Sequence, residues 1–172
     1  MKILMTGVGG PTPRSFAIGL KKYSQYTNYE IIATDINPLS IGLYQKDLFD
    51  KSYIVPRATD AAYWPAIEKI VAENKIDVAV ILPELEVMEW SKRMEAGKLP
   101  CKAFLPASSI AALLVDKAKM TELLDPLGVV PPSVEFSRDE KDLSKVFSKL
   151  GFPFWVRSTS GTSGLGSLKV ED

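Results

Sequence analysis

Val78-Ala79-Val80-Ile81-Leu82 carries no polar side chain, so neither face of this short run is suited to water. A half-exposed strand would alternate polar and apolar residues. A run that is apolar throughout fits the middle of a parallel sheet covered on both faces. Upstream, Tyr63 to Glu73 places Trp64, Ile67, Ile70 and Val71 at helical spacing. Before it, Ser52-Tyr53-Ile54-Val55 reads as a strand closed by Pro56, Ile31-Ile32-Ala33-Thr34 as a strand ending at Asp35, and Ile3-Leu4-Met5 as the first strand. The spacing predicts a loop from Gly7 to Pro13 and a first helix from Ser15 to Tyr26, with Phe16, Ile18, Leu20 and Tyr23 turned inward. Downstream, Glu86 to Ala96 reads as a helix, Lys102-Ala103-Phe104 as a short edge strand, and Ser108 as the start of another helix. This alternation predicts an α/β fold: a Rossmann-like, doubly wound parallel sheet with right-handed crossovers. Ligands of such sheets sit outside the carboxyl ends of the strands.

Around residue 106 the pattern changes. Asp116 to Leu124 is amphipathic, and Leu127-Gly128-Val129-Val130-Pro131-Pro132 reads as a helix stop followed by an extended linker. Ser137-Arg138-Asp139-Glu140 has the form of a capped helix start, and that helix continues to Leu150-Gly151. A buried-looking strand, Phe152-Pro153-Phe154-Trp155-Val156, then runs into Arg157 and the loop Ser158-Thr159-Ser160-Gly161-Thr162-Ser163-Gly164-Leu165-Gly166. The expected organisation is a Rossmann-like domain over 1–106 and the beginning of a second, α+β domain over 107–172.

Composition narrows the chemistry. The 172 residues are 46% hydrophobic, enough for a real core, and Lys+Arg and Asp+Glu are both 21. That balance points to neither nucleic acid nor a membrane surface. There is no histidine, which removes histidine acid–base catalysis, Ser-His-Asp arrangements and histidine-ligated metals. Cys101 is the sole cysteine, so it has no intrachain disulfide partner. The apolar run at the N-terminus is too short for a signal peptide, and no segment approaches the roughly 20 apolar residues that span a bilayer. The expected location is cytoplasmic.

Three stretches carry candidate chemistry. Gly7-Val8-Gly9-Gly10-Pro11-Thr12-Pro13-Arg14 lies where a dinucleotide fingerprint would, with Asp35 closing the second strand, where a Rossmann fold often places its ribose-binding acid. Thr12 stands in place of the third glycine, and Pro11 and Pro13 remove two N–H donors. An NAD(P)-binding oxidoreductase is therefore one alternative. A tight structural turn, or a site at Gly9, Gly10 and Arg14 for a substrate's anionic group, is another. After the fourth strand come Glu84 and Glu86, which could hold an ammonium or hydroxyl group, or simply favour the start of the helix there. In the last stretch, a cation at a strand end precedes hydroxylic and glycine residues whose N–H and O–H groups suit phosphate. The spacing of Gly161 and Gly166 is that of a Walker loop, but Ser167 stands where that motif needs lysine.

Asp116-Lys117-Ala118-Lys119-Met120 through Leu127-Gly128-Val129-Val130-Pro131, followed by Leu150-Gly151-Phe152-Pro153-Phe154-Trp155-Val156-Arg157 and the Ser/Gly-rich loop, resembles the ATP-grasp ligases. The preceding α/β region, including Thr34-Asp35-Ile36-Asn37-Pro38, is similar to the domain before their grasp domain, and the whole is most like a carbamoyl-phosphate synthase large subunit. The resemblance implies an ATP-dependent ligase that activates a small carboxylate as an acylphosphate for attack by an amine or similar nucleophile. It implies ATP contacts from Lys117, Arg157, Ser158, Thr159, Ser160, Gly161, Thr162, Ser163 and Gly164, with 158–166 as a lid. The family's adenine strand and its Mg2+ ligands fall beyond Asp172, so this stretch alone is expected to be inactive. The resemblance leaves a homo-oligomer or a companion subunit open as partner; a non-catalytic binding or assembly module of a split ligase is the remaining alternative.

Overall fold

The computed structural model describes residues 1–23, 25, 29–137, 139–161 and 166–172. The chain divides into two compact units, Met1–Ala111 and Ala112–Asp172. Among the described residues no helix is long and apolar enough to cross a membrane.

The first unit strings together β1 (Lys2–Thr6), α1 (Pro11–Tyr23), β2 (Glu30–Asp35), β3 (Lys51–Ile54), α2 (Tyr63–Asn74), β4 (Val78–Val80), α3 (Glu84–Glu95) and β5 (Lys102–Ala103). The five strands form one sheet in the order β3-β2-β1-β4-β5, every pair parallel. Leu4, opposite Ile32 and Ala79, faces a core built with Tyr63, Ile67, Ile70 and Trp90 of α2 and α3. Its neighbour Met5 faces the other way, into a core with Ile31, Ala33, Ala17 of α1, and Phe49. Helices thus cover both faces, which is why the central strands are apolar at consecutive positions. The expected doubly wound parallel α/β sheet is observed. The chain reverses direction across the sheet at β1 and β4, which opens the crevice at their carboxyl ends.

The first helix starts earlier than its sequence suggests. It takes in Pro11, whose missing N–H would be unpaired in the first turn anyway. Pro13 and Ala17 are its buried residues and Leu20 packs beside them, so the inner stripe is set by small residues that lie close to the sheet. Phe16, Ile18 and Tyr23, expected inward, are exposed, Tyr23 at 81%; Tyr26 lies outside the described residues.

In α4 (Ser108–Val115) the chain passes the division between the units. The second unit then holds α5 (Lys117–Leu124), α6 (Glu140–Leu150), β6 (Phe154–Val156) and β7 (Leu168–Val170). Asp116 caps α5 by accepting hydrogen bonds from the amides of Ala118 and Lys119 at 3.1 and 3.2 Å. A short 3₁₀ turn, Asp125–Leu127, ends at Gly128 in the left-handed conformation, as the helix-stop reading requires. Strands β6 and β7 form an antiparallel pair with Phe154 opposite Val170, Trp155 opposite Lys169 and Val156 opposite Leu168. Phe147 of α6 packs against Phe152 and Phe154, with ring centroids 5.2 and 6.0 Å away. The strand read as buried is not: Phe154 and Val156 are half-buried, while Trp155 is 68% exposed on the opposite face. A two-stranded sheet backed by one helix covers one face only. β7 lies beyond the glycine-rich loop, where the sequence reading placed no element.

Candidate functional site

In the second unit, α5 and β6 bring the two basic residues to one cleft. Lys117 is the first residue of α5, placed there by the Asp116 cap, and Arg157 directly follows β6. Both line a cleft of about 660 Å³, together with Glu122, Glu135, Trp155 and Thr159. The main-chain N–H of Lys117 donates to the Thr159 carbonyl at 2.9 Å, and its ammonium donates to the Gly161 carbonyl at 2.6 Å. Arg157 is exposed and, among the described residues, makes no hydrogen bond or ion pair. Ser160 donates its amide to the Ser158 hydroxyl at 3.4 Å, bending the loop. The carboxyl of Asp116 is held below the usual carboxylate range, chiefly by the amide of Lys119 and also by its ammonium, so the cap is an anion at neutral pH.

Of the residues expected to hold phosphate, Lys117, Arg157, Ser158 and Thr159 line the same cleft. Ser160 and Gly161 continue the loop, with Gly161 at φ +97°. Thr162, Ser163 and Gly164 lie outside the described residues. Lys117 and Arg157 beside hydroxyls and a turning backbone have chemistry suited to an anion rather than to acid–base work. Trp155 was missed by the sequence reading, which treated its strand as buried throughout. Period-two alternation between Phe154 and Val156 was the available signal.

The carboxyl edge of the first unit's sheet holds the other candidates. Gly7 turns the chain at φ +67°, and the Gly10 amide closes the turn on the Gly7 carbonyl at 3.1 Å. Gly9 donates its amide to Asp35 Oδ2 at 2.7 Å, and a Cβ there would lie 2.4 Å from Ser40 Oγ. The other oxygen of Asp35 accepts from the Asn37 amide at 2.9 Å. The acid that a dinucleotide site would turn to a ribose therefore ties the first loop to the one after β2, and Gly9 is small because Ser40 packs on it.

Glu86, in the first turn of α3, is 4% exposed and hydrogen-bonds Thr6 and Tyr63, while its Oε2 has no partner. Burial pushes its carboxyl up to about 7, against the pull of the Thr6 and Tyr63 hydrogen bonds and with a further push from the Asp35 charge. Trp90 Nε1 donates to the Tyr63 hydroxyl at 2.8 Å, and burial raises that phenol as well. Glu84 is half-buried at the start of α3, and Arg14 is half-buried in the first turn of α1 with a buried Nε that has no partner. The structure thus gathers Gly9, Asp35 and Glu86; no hydrogen bond or ion pair among the described residues ties Arg14 or Glu84 to them.

Residues 3–98 match the family described as PylC-like, N-terminal domain. A search of curated proteins gave no match. Among solved structures, an N5-carboxyaminoimidazole synthetase from Staphylococcus aureus complexed with ADP is similar at TM-score 0.67 and 18% identity, over 99% of this chain and 41% of that one. N5-carboxyaminoimidazole ribonucleotide synthetase from Thermotoga maritima gives 0.60 and 20%, again over 99% and 41%. The biotin carboxylase domain of the Hydrogenobacter thermophilus 2-oxoglutarate carboxylase, in complex with MgADP, ADP and bicarbonate, gives 0.63 and 16%, over 99% and 37%. At these identities the likeness is one of fold, and the chain spans about two-fifths of the length of these structures.

Proposed function

The chain belongs to the family of PylC-like N-terminal domains, and from that premise we propose that it is the front part of an ATP-dependent ligase of the ATP-grasp type. In this reading residues 1–106 are the Rossmann-like domain that precedes the grasp domain, and 107–172 begin the grasp domain itself. The observation that carries it is the cleft shared by Lys117, Arg157, Ser158 and Thr159, with the loop held to Lys117 through the Gly161 carbonyl. Its chemistry fits a polyphosphate: Arg157 is a planar, permanently charged donor that makes no hydrogen bond or ion pair among the described residues, and Lys117 is a point charge fixed at a helix start. Trp155 offers an aromatic face in the same cleft.

Bound ATP would supply the phosphoryl group that turns a small carboxylate into an acylphosphate, which an amine or similar nucleophile then attacks. This chain's part is to hold the phosphates. Lys117 and Arg157 offset the charge that builds as the phosphoryl group leaves, which is positioning and electrostatic work rather than proton transfer. Among the described residues no three His, Cys, Asp or Glu side chains come together as a metal site. Gly9, Gly10, Arg14, Glu84 and Glu86 are assigned to the substrate, on the grounds that sheets of this kind bind ligands at their carboxyl edge. A carbamoyl-phosphate-synthase-like acceptor such as bicarbonate, a cytoplasmic location, and a homo-oligomer or companion subunit go with this reading.

In the complete ligase, Lys117→Ala or Arg157→Ala is expected to lower kcat/KM for ATP by about 100-fold or more, the scale of losing one preorganised charge donor. Carboxylate-dependent ADP release measures it, and unchanged kinetics in both variants would end the proposal.

A further inference from the structure

Of the three cations that line the cleft, Lys149 donates to the Ser133 carbonyl at 3.2 Å, and Lys117 and Arg157 are in different states. Arg157 makes no hydrogen bond or ion pair among the described residues, whereas the ammonium of Lys117 is already engaged by the Gly161 carbonyl at 2.6 Å. The same lysine holds the loop a second time, through its main-chain N–H and the Thr159 carbonyl at 2.9 Å. Gly161 reaches it at φ +97°, a conformation open to glycine and strained for other residues, and a Cβ there would meet nothing within 4 Å. Packing therefore does not require glycine at 161; the backbone direction that aims its carbonyl does. A carbonyl oxygen bears the partial negative charge that an ammonium seeks, and so stands where an anionic oxygen would bind.

We propose that Ser158–Gly161 is a strap latched onto Lys117, and that a polyphosphate opens it by taking the ammonium from the Gly161 carbonyl. The inference rests on the reading of Lys117 as a phosphate ligand. Anion binding and release of the strap are then one event. A full negative charge outcompetes a neutral carbonyl for the ammonium, and the freed carbonyl turns to water. Arg157, with no bond to break among the described residues, takes the first contact, and Lys117 follows as the latch opens.

Hydrogen exchange of the residue-117 amide, which donates to Thr159, reads the latch directly. In the 172-residue chain, Lys117→Met keeps the stem and removes the ammonium. It is expected to speed that exchange by roughly three- to tenfold, the scale of one charge-assisted hydrogen bond lost at a half-exposed site, while Lys117→Arg restores most of the protection. Inorganic tripolyphosphate added to the wild type is expected to shift the Lys117 Nζ resonance and to speed the same amide towards its rate in the methionine variant. If tripolyphosphate shifts Nζ but leaves the amide unchanged or slower, the latch is wrong and the phosphate site stands. If it produces no shift at Nζ, the latch falls together with the phosphate reading. Equal amide rates in wild type and Lys117→Met without any anion overturn the latch on their own.

Discussion

Glu86 shows how one side chain can set a pH response. It lies at 4% exposure between Thr6 of β1 and Tyr63 of α2, with Asp35 of β2 adding negative charge and one carboxylate oxygen unpartnered. Its folded value is raised to about 7 from 4.5, so the folded state keeps a proton that the unfolded chain gives up. The stability this contributes is fully present below pH 4.5 and is lost as pH rises towards 7. The loss amounts to about 3 kcal/mol at most. Urea unfolding between pH 5 and 8 should show that decline, and Glu86→Gln should flatten it and be the more stable protein at pH 8. The sequence placed Glu86 at the sheet's ligand edge because it follows an apolar strand. It could not show burial against Tyr63, because that contact joins α3 to α2, with β4 between them in the sequence.

At the scale of elements, loops decide more than strands. Gly42, in a short 3₁₀ turn after β2, lies so close to Val8 that an added Cβ would sit 2.1 Å from its carbonyl oxygen. Backbone cannot yield as the end of a long side chain can, so Gly42→Ala should lower the unfolding free energy by roughly 1–3 kcal/mol or more in denaturant titration. Nothing in the sequence around Gly42 announces this contact, which arises only when the loop folds back over the first turn. The strands were legible because a covered parallel sheet leaves an unbroken apolar signature at Ile31–Ala33 and Val78–Val80. The first helix was harder to read, since Pro11 and Pro13 look like loop residues until one allows that a first turn needs no N–H there. β6 was located but its exposure was misjudged: whether an apolar strand is covered depends on layers the strand itself does not encode. Of the candidate site, Arg157 stands out as a cation at a strand end, whereas Lys117 enters through the resemblance to the ATP-grasp ligases. The grip of Gly161 on Lys117 was not readable, because it depends on the path of the loop.

Across the whole chain the two units are unequally built. The first has two buried clusters, on opposite faces of its sheet, whereas among the described residues 112–172 Val146 is the buried hydrophobic. Amides of β6, β7 and α6 should therefore exchange at least about tenfold faster than those of β1 and β2, which mass spectrometry of exchanged peptides would test; equal protection would contradict the burial difference. The tryptophans follow the same division. Trp64 and Trp90 pack against each other at 5.3 Å in the first unit, and Trp155 stands in the open cleft beside Arg157. The chain thus carries its own optical probe. With Trp64 and Trp90 replaced by phenylalanine, the remaining emission should lie at the red, water-exposed end of the indole range, and a blue shift on adding nucleotide would report the cleft filling without any label.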